Sequence, residues 1–407
     1  MTRALLNTLR LTRDPARFLG EVRARSGPAA PVELWPVGRL LVLSDPQMLA
    51  AFFAADSDRL RAGAATERVL PLLRGSILCA DGVDHRAHRQ RLLPVFRASN
   101  VATLADEADE QAHRTLATLP RKSAVAMLSV FHRLTFAPLA RLVLGVDEPS
   151  RAAAIAHALD RFVGGPPTLA FWPIALRPIL LPALRRRRAH LDALLRAELE
   201  RGPAAGSAAA LLLDSQLPEE AVLAELRALL IVGAETTACA LAWGVELLAH
   251  HPGQARTLAV GDRDYAVALA HEVLRVRPSV VDAVRLAASP VSLAGLDVPA
   301  GMLLMAAPLL VHHDPTVYER PNEFRPERFL ANRPPRGSFI PFGGGARRCL
   351  GEPFAMLQLR TVLPTIVRAT QLRPARRLPE SPRLRGTAIR PAAGARVVLV
   401  APGPGQA

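Results

Sequence analysis

Apolar residues recur at intervals of three and four through most of the chain, the spacing that lines one face of an α-helix. The pattern predicts helices over about 84–97, 102–119, 124–144, 150–163, 185–201, 218–250, 263–276 and 352–370. The segment 218–250 is the longest. Alternating, strand-like patterns are few and short. PVELWPVGRLLVLSDP (31–46) reads as two strands and a turn, and strand-rich parts recur at about 278–305 and 385–401. Internal repeats and a βαβ alternation are both missing. The expectation is one domain over 1–407, mainly α with small β-sheets. Prolines break the helical pattern at 165–184 and 321–337. The first break, GPPTLAFWPIALRPILLPAL, is apolar but carries five prolines. It predicts an irregular loop that covers a pocket or meets a partner.

Composition narrows the function. Half the residues are apolar, but every 18-residue stretch carries charge and no small-residue cleavage pattern follows the basic N-terminus. The chain reads as cytoplasmic, with no membrane span. Its three cysteines, Cys79, Cys239 and Cys349, are too scattered for a disulfide framework or a paired-cysteine zinc site. Any special thiol acts alone. The net charge of +15 comes almost wholly from arginine, since Lys122 is the only lysine. No basic run is interleaved with aromatics, which argues against nucleic acid. From Arg333 onward 13 Arg stand against 2 Glu, so 13 − 2 = 11 of the excess charges lie near Cys349. That asymmetry suits an acidic protein partner.

Four short stretches carry chemistry. In PFGGGARRCLG (341–351), three glycines permit a sharp turn and close approach to a flat ligand. Cys349 then precedes a helical pattern that starts at Glu352 or Pro353. Free N–H groups and the positive end of the dipole there favour a thiolate, and Arg347 and Arg348 add positive charge. A single thiolate in such a loop suits axial ligation of haem iron; an incidental buried thiol is the plain alternative. In LLIVGAETTACALAW (229–243), Gly233, Thr236 and Ala240 share one helix face and leave space beside a hydroxyl. Thr236 bonding the carbonyl four residues back is the plain reading there. In HEVLRVRP (271–278), Glu272 and Arg275 meet on one face. In DGVDHRAHRQRLLPVF (81–96), His85 and Arg89 are four apart and suit an anion; His88 and Arg91 fall on other faces and read as solvent or partner contacts.

The spacing Phe342, Gly345, Arg347, Cys349, Gly351 matches F-x-x-G-x-R-x-C-x-G, and the chain thereby resembles the cytochrome P450 family. The resemblance runs over nearly the whole chain. It implies a triangular helical prism, with haem b between the long central helix and the helix after the cysteine loop, and Cys349 as axial thiolate. By resemblance Gly233, Glu235 and Thr236 match G-x-[DE]-T-T. Thr236 would bond iron-bound oxygen and Glu235 would relay protons. Val232 replaces the usual small residue before Gly233. Glu272 and Arg275 match E-x-x-R, a structural element completed by Arg328 of FRPERF. His85, Arg89, Arg285 and Arg347 would meet the haem propionates. The pocket would draw on Leu70, Leu73, Phe171, Trp172, Val232, Val280, Val281, Asp282 and Val284, mostly apolar residues that suit a hydrophobic small molecule. Asp282 would steer a polar group or bond nearby backbone.

The implied activity is a soluble, monomeric haem-thiolate monooxygenase that inserts one oxygen atom from O₂ into a C–H bond, in bacterial secondary metabolism. Electrons would come from NAD(P)H through a separate reductase and a ferredoxin or flavodoxin, with Arg348 as the least constrained docking residue. Oxidative coupling, desaturation and peroxygenase chemistry use the same fold, and fold does not decide among them. A non-catalytic haem protein, sensing or carrying a gas, is the remaining class. An intact Glu235–Thr236 pair argues against it.

Overall fold

The computed structural model describes residues 3–163, 177–331 and 334–401. Helices dominate, and the long helix Glu219–His250 runs through the middle of the molecule. Its residues are buried nearly all round, as expected of a helix apolar on every face. The helix Met127–Leu144 packs along it, and the helix Glu352–Ala369 crosses it on another side. Leu139 and Leu363 mark these two contacts: a Cβ at Gly233 would lie 3.0 Å from Leu139, and one at Gly244 2.7 Å from Leu363. Met127–Leu144 and Glu219–His250 are long and apolar enough to cross a membrane. Both bury that surface inside the protein.

The largest sheet has five strands in the order Ala29–Leu34, Gly38–Leu43, Leu303–Ala306, Ala283–Ala287, Leu60–Arg61. One neighbouring pair is parallel, Gly38–Leu43 with Leu303–Ala306. A three-stranded sheet joins Ala124–Ala126, Arg396–Val400 and Gln371–Pro374. The hairpin Pro382–Arg385 with Ala388–Pro391 reaches the long helix, where the Trp243 indole N–H donates to the Ile389 carbonyl at 3.0 Å.

The expected helices hold within a few residues at most of their ends, and the one expected over 102–119 is Ala105–Thr118. Further helices were not expected, among them Arg3–Arg13, Pro15–Ser26, Pro46–Ala54, Ala62–Val69 and Ala98–Ala102. The segment 124–126 is a strand before the helix at Met127, because its backbone pairs with Arg396–Val398. Helix begins at Arg177 and contains Pro182, where an irregular loop was expected through 184. Pro178 falls in the first turn, whose N–H groups have no intrahelical partner, whereas Pro182, at the sixth position, leaves one backbone hydrogen bond unmade. Phe171 and Trp172 lie outside the described residues.

The Glu272–Arg275 pair is fully buried. Arg275 donates twice to Glu272, at 2.7 and 2.8 Å, and to the carbonyls of His312, Pro321 and Glu323. Glu272 also accepts from Arg328 Nε at 3.0 Å and from the Arg325 N–H at 2.8 Å. His312 in turn accepts from the Ile340 N–H at 2.9 Å, and Tyr318, stacked under Arg275, donates to the Ser338 carbonyl. The network thus holds 338–340, the approach to the cysteine loop. Removing one partner strands the other as an unpaired buried charge. Arg275→Ala is therefore expected to cost about 3–5 kcal/mol, whereas Arg348→Ala, at an exposed pair, should cost under about 1 kcal/mol. Urea denaturation of the two variants checks the contrast.

Candidate active site

The cysteine loop is built against the helix Pro46–Ala54. Gly345 has φ +64°, and a Cβ there would stand 2.0 Å from the Phe53 carbonyl oxygen. At Gly344 it would meet the Phe53 ring at 2.9 Å. These glycines therefore serve the loop's approach to Phe53. The Cys349 N–H donates to the Phe342 carbonyl at 3.0 Å and closes the loop.

The Cys349 side chain is exposed, yet protein surrounds it closely enough that burial raises the thiol pKa. The backbone N–H groups of Gly351 and Glu352 and the charge of Arg89 oppose that rise. The thiol thus faces open space inside the molecule, with donors already set for a thiolate. Part of the long helix shows the same exposure. Val232 is 36 % exposed between largely buried neighbours, and Gly233 and Thr236 are part-exposed. The Thr236 hydroxyl donates to the Val232 carbonyl at 2.8 Å, four residues back, and keeps its lone pairs free to accept.

Four basic side chains converge beside the loop. His85 and Arg285 are buried. Burial, then the charges of Arg347 and Arg89, push the His85 pKa down to about 4. Burial, then Arg347, lowers Arg285 to about 10. Arg285 lies over the Phe52 ring and donates to its neighbour's carbonyl. Arg89 donates to the Arg348 carbonyl at 2.8 Å. Arg347 pairs with Asp81 at 2.6 Å and reaches the carbonyls of Ile77 and Ala80, while its Nε has no partner. Asp81 was not singled out from sequence. It also accepts from the N–H groups of Gly63 and Ala64; its place just before the helix Gly82–Leu92 was the available signal.

Two expectations change. His88 is turned inward, its Nδ1 3.4 Å from the fully buried Glu225, because a buried carboxylate needs a partner. Arg348 is half-exposed but bonded twice to Glu352, at 2.5 and 2.6 Å, so its charge is locally neutralised. Arg347 points inward, away from the outer face. That face holds a groove of about 820 Å³ lined by Phe53, Phe329, Phe339, Phe342, Arg348 and Glu352.

Glu235 points away from Thr236. It pairs with Arg390 at 2.6 Å and lies 3.2 Å from His132, on a cavity of about 900 Å³ that Thr236 does not line. Burial raises its pKa, but the hydrogen bond from His132 and the charge of Arg390 prevail and hold it down at about 2. Neither partner was legible from sequence, since both lie on distant segments.

A profile described as cytochrome P450 matches residues 175–395. A Mycobacterium tuberculosis protein named cytochrome P450 135B1 is 33% identical over 413 residues, covering 95% of this chain and 88% of its own. The chain belongs to the cytochrome P450 family. A second relative from that organism, named cytochrome P450 137, is 30% identical over 94% of this chain and 84% of its own. Among solved structures, CYP175A1 from Thermus thermophilus matches with TM-score 0.79 and 28% identity over 98% of each chain. The retinoic-acid-bound cyanobacterial CYP120A1 shares the fold, with TM-score 0.84 and 22% identity over 97% of this chain and 96% of its own. Membership makes the protein a haem monooxygenase of the oxidoreductase class. The residues fit that group: a lone thiol facing open space, a helix face left bare opposite bulk packing, and buried cations short of counter-charge.

The Glu235 linkage has a definite sign. A carboxylate whose folded pKa lies below its unfolded value of 4.5 stabilises the fold above pH 4.5 and loses that contribution as pH falls toward 2. Glu235→Gln should therefore cost about 3 kcal/mol at neutral pH, shrinking between pH 4.5 and 3. Denaturation of wild type and variant across that range tests it.

Proposed function

We propose that Cys349 is the axial thiolate of haem b and that the protein hydroxylates a hydrophobic small molecule with O₂. The observation that carries this reading is the Cys349 thiol facing internal space, with the N–H groups of Gly351 and Glu352 at its sulfur. When bound, haem supplies activation of O₂ and insertion of one oxygen atom into a C–H bond. The chain's residues do the rest. Arg89, Arg285 and Arg347 would neutralise the haem propionates, with His85, neutral at its lowered pKa, as a hydrogen-bond partner, and this would relieve the mutual repulsion of the arginines. Thr236, its proton committed to the Val232 carbonyl, offers its oxygen to a proton donor on the substrate side. Glu235 joins the proton relay only once its carboxylate, ionised beside Arg390, exchanges that partner for water. Val280, Val281 and Val284 keep the chamber apolar and dry, with Leu70 and Leu73 opposite.

Electrons derive from NAD(P)H through a reductase and a ferredoxin or flavodoxin docked over the groove outside the loop. The groove's aromatic floor and its neutralised Arg348–Glu352 pair support apolar contact at its centre, with surrounding arginines steering an acidic partner. The setting is a bacterial cytoplasm, and the product belongs to secondary metabolism.

The carbon monoxide difference spectrum of the reduced protein should show a band at about 450 nm, the mark of thiolate-ligated haem. Cys349→Ala should abolish it, and an unchanged band in that variant would refute the assignment. Thr236→Ala should keep the band and NAD(P)H consumption but lower product per electron pair about a hundredfold, the low end of what one proton-handling group contributes.

A further inference from the structure

Asp282 is the only carboxylate between the helix Arg263–Val276 and the strand Ala283–Ala287. Its segment is pinned to the tip of the hairpin Pro382–Pro391. The Val281 N–H donates to the Thr387 carbonyl at 3.0 Å, the Ile389 N–H donates to the Ser279 carbonyl at 2.9 Å, and Val280 bridges Ala388. The backbone at 282 is therefore held in place. Asp282 lines a cavity of about 50 Å³ whose wall is mostly apolar, with Leu11, Leu70, Val284, Met305 and Leu384, and also carries Thr8, Thr12 and Thr387.

Other inward carboxylates of the protein are matched. Glu225 accepts from the Ile77 N–H, Glu246 from Glu380 N–H, Glu272 from Arg275, and Asp314 from Arg23 and Thr316. Asp282 has no hydrogen bond or ion pair among the described residues. The residue is partly accessible, at the cavity it lines. The faces around the cavity come from the helix Arg3–Arg13, the hairpin Ala29–Leu43, residues Val69 and Leu70, the strand Leu303–Ala306 and the hairpin tip. None of them puts another ionisable group on the cavity wall among the described residues. Burial alone pushes the Asp282 pKa up to about 7. Leaving a carboxylate this desolvated and unmatched is costly unless something else occupies the opposite side.

We propose that Asp282 receives a cationic nitrogen of the substrate, which makes the substrate class an apolar molecule bearing a small amine or ammonium group. The cavity holds a head group of a few heavy atoms, in place of the two or three waters it would otherwise take. A cation matches the carboxylate in charge as well as in hydrogen bonding, and the apolar walls take the adjoining carbons. This inference rests on the haem-thiolate reading given above, in which residues 279–284 line the substrate chamber.

The test uses the haem-loaded protein and three ten-carbon probes below their aggregation concentrations: decyltrimethylammonium, 1-decanol and decanoate. The quaternary nitrogen has no lone pair and cannot ligate iron, so its binding reports the pocket alone. Dissociation constants come from equilibrium dialysis. At pH 8.5, with Asp282 ionised, the cation should bind at least about tenfold more tightly than the alcohol, and decanoate least well. The preference should vanish at pH 5.5 as Asp282 takes a proton, and it should vanish at pH 8.5 in Asp282→Asn. Asp282→Glu should restore part of it. Equal affinities for cation and alcohol in the wild type, or a tenfold preference retained in Asp282→Asn, would overturn the proposal. The carbon monoxide band, recorded for every variant, separates the two levels. A wild type without it sinks the haem-thiolate reading and this inference together, whereas an intact band with no cation preference sinks this inference alone.

Discussion

The buried Glu272–Arg275 pair is the constraint on which the site's geometry depends. Two charges taken wholly out of water are costly, and their mutual attraction offsets that cost only if the remaining donors and acceptors are also satisfied. Here the carbonyls of His312 and of the turn at Pro321 and Glu323, the Arg325 N–H and the Arg328 guanidinium complete the network. Satisfying one ion pair thereby fixes the path of the chain from His312 to Ser338 and Ile340. The cysteine loop follows directly. An interaction of little net worth to stability can still specify where a loop must run.

The loop is held from two sides. Inside, the network sets its approach; outside, Phe53 presses against a backbone that only glycine allows so near. Cys349 is left exposed, with backbone donors at its sulfur. The same logic, reversed, governs the cations. Arg285, Arg347 and Arg89 crowd beside the neutral His85 with Asp81 as their one nearby carboxylate among the described residues, a charge balance that favours an anionic ligand. Asp282 is the mirror case on the other side of the same segment: a lone negative group among apolar walls.

Some of this was legible without coordinates. The helix periods, the cysteine loop and the E-x-x-R pair are local, because their meaning follows from residue spacing along three or four turns. Residues whose roles depend on chain crossing were not. Asp81 meets Arg347, and His132 and Arg390 meet Glu235, across large sequence separations that no periodicity reports. His88 was placed outside for the same reason: its helix face was readable, but not that Glu225 lay opposite. The strand at 124–126 escaped notice because pairing, not propensity, makes it.

The sequence by itself determined the family, the helix-rich architecture and the single thiol of the glycine-rich loop. Those rest on covalent order: a fixed spacing of glycine, arginine and cysteine, and an apolar period. The tertiary structure decided direction and charge state. It turned Arg347 toward Asp81, tied Arg348 to Glu352, sent Glu235 to its own cavity and left Asp282 unmatched. Partners and burial set those outcomes, because the cost of a charge depends on what surrounds it, and what surrounds it is chosen only when distant segments meet.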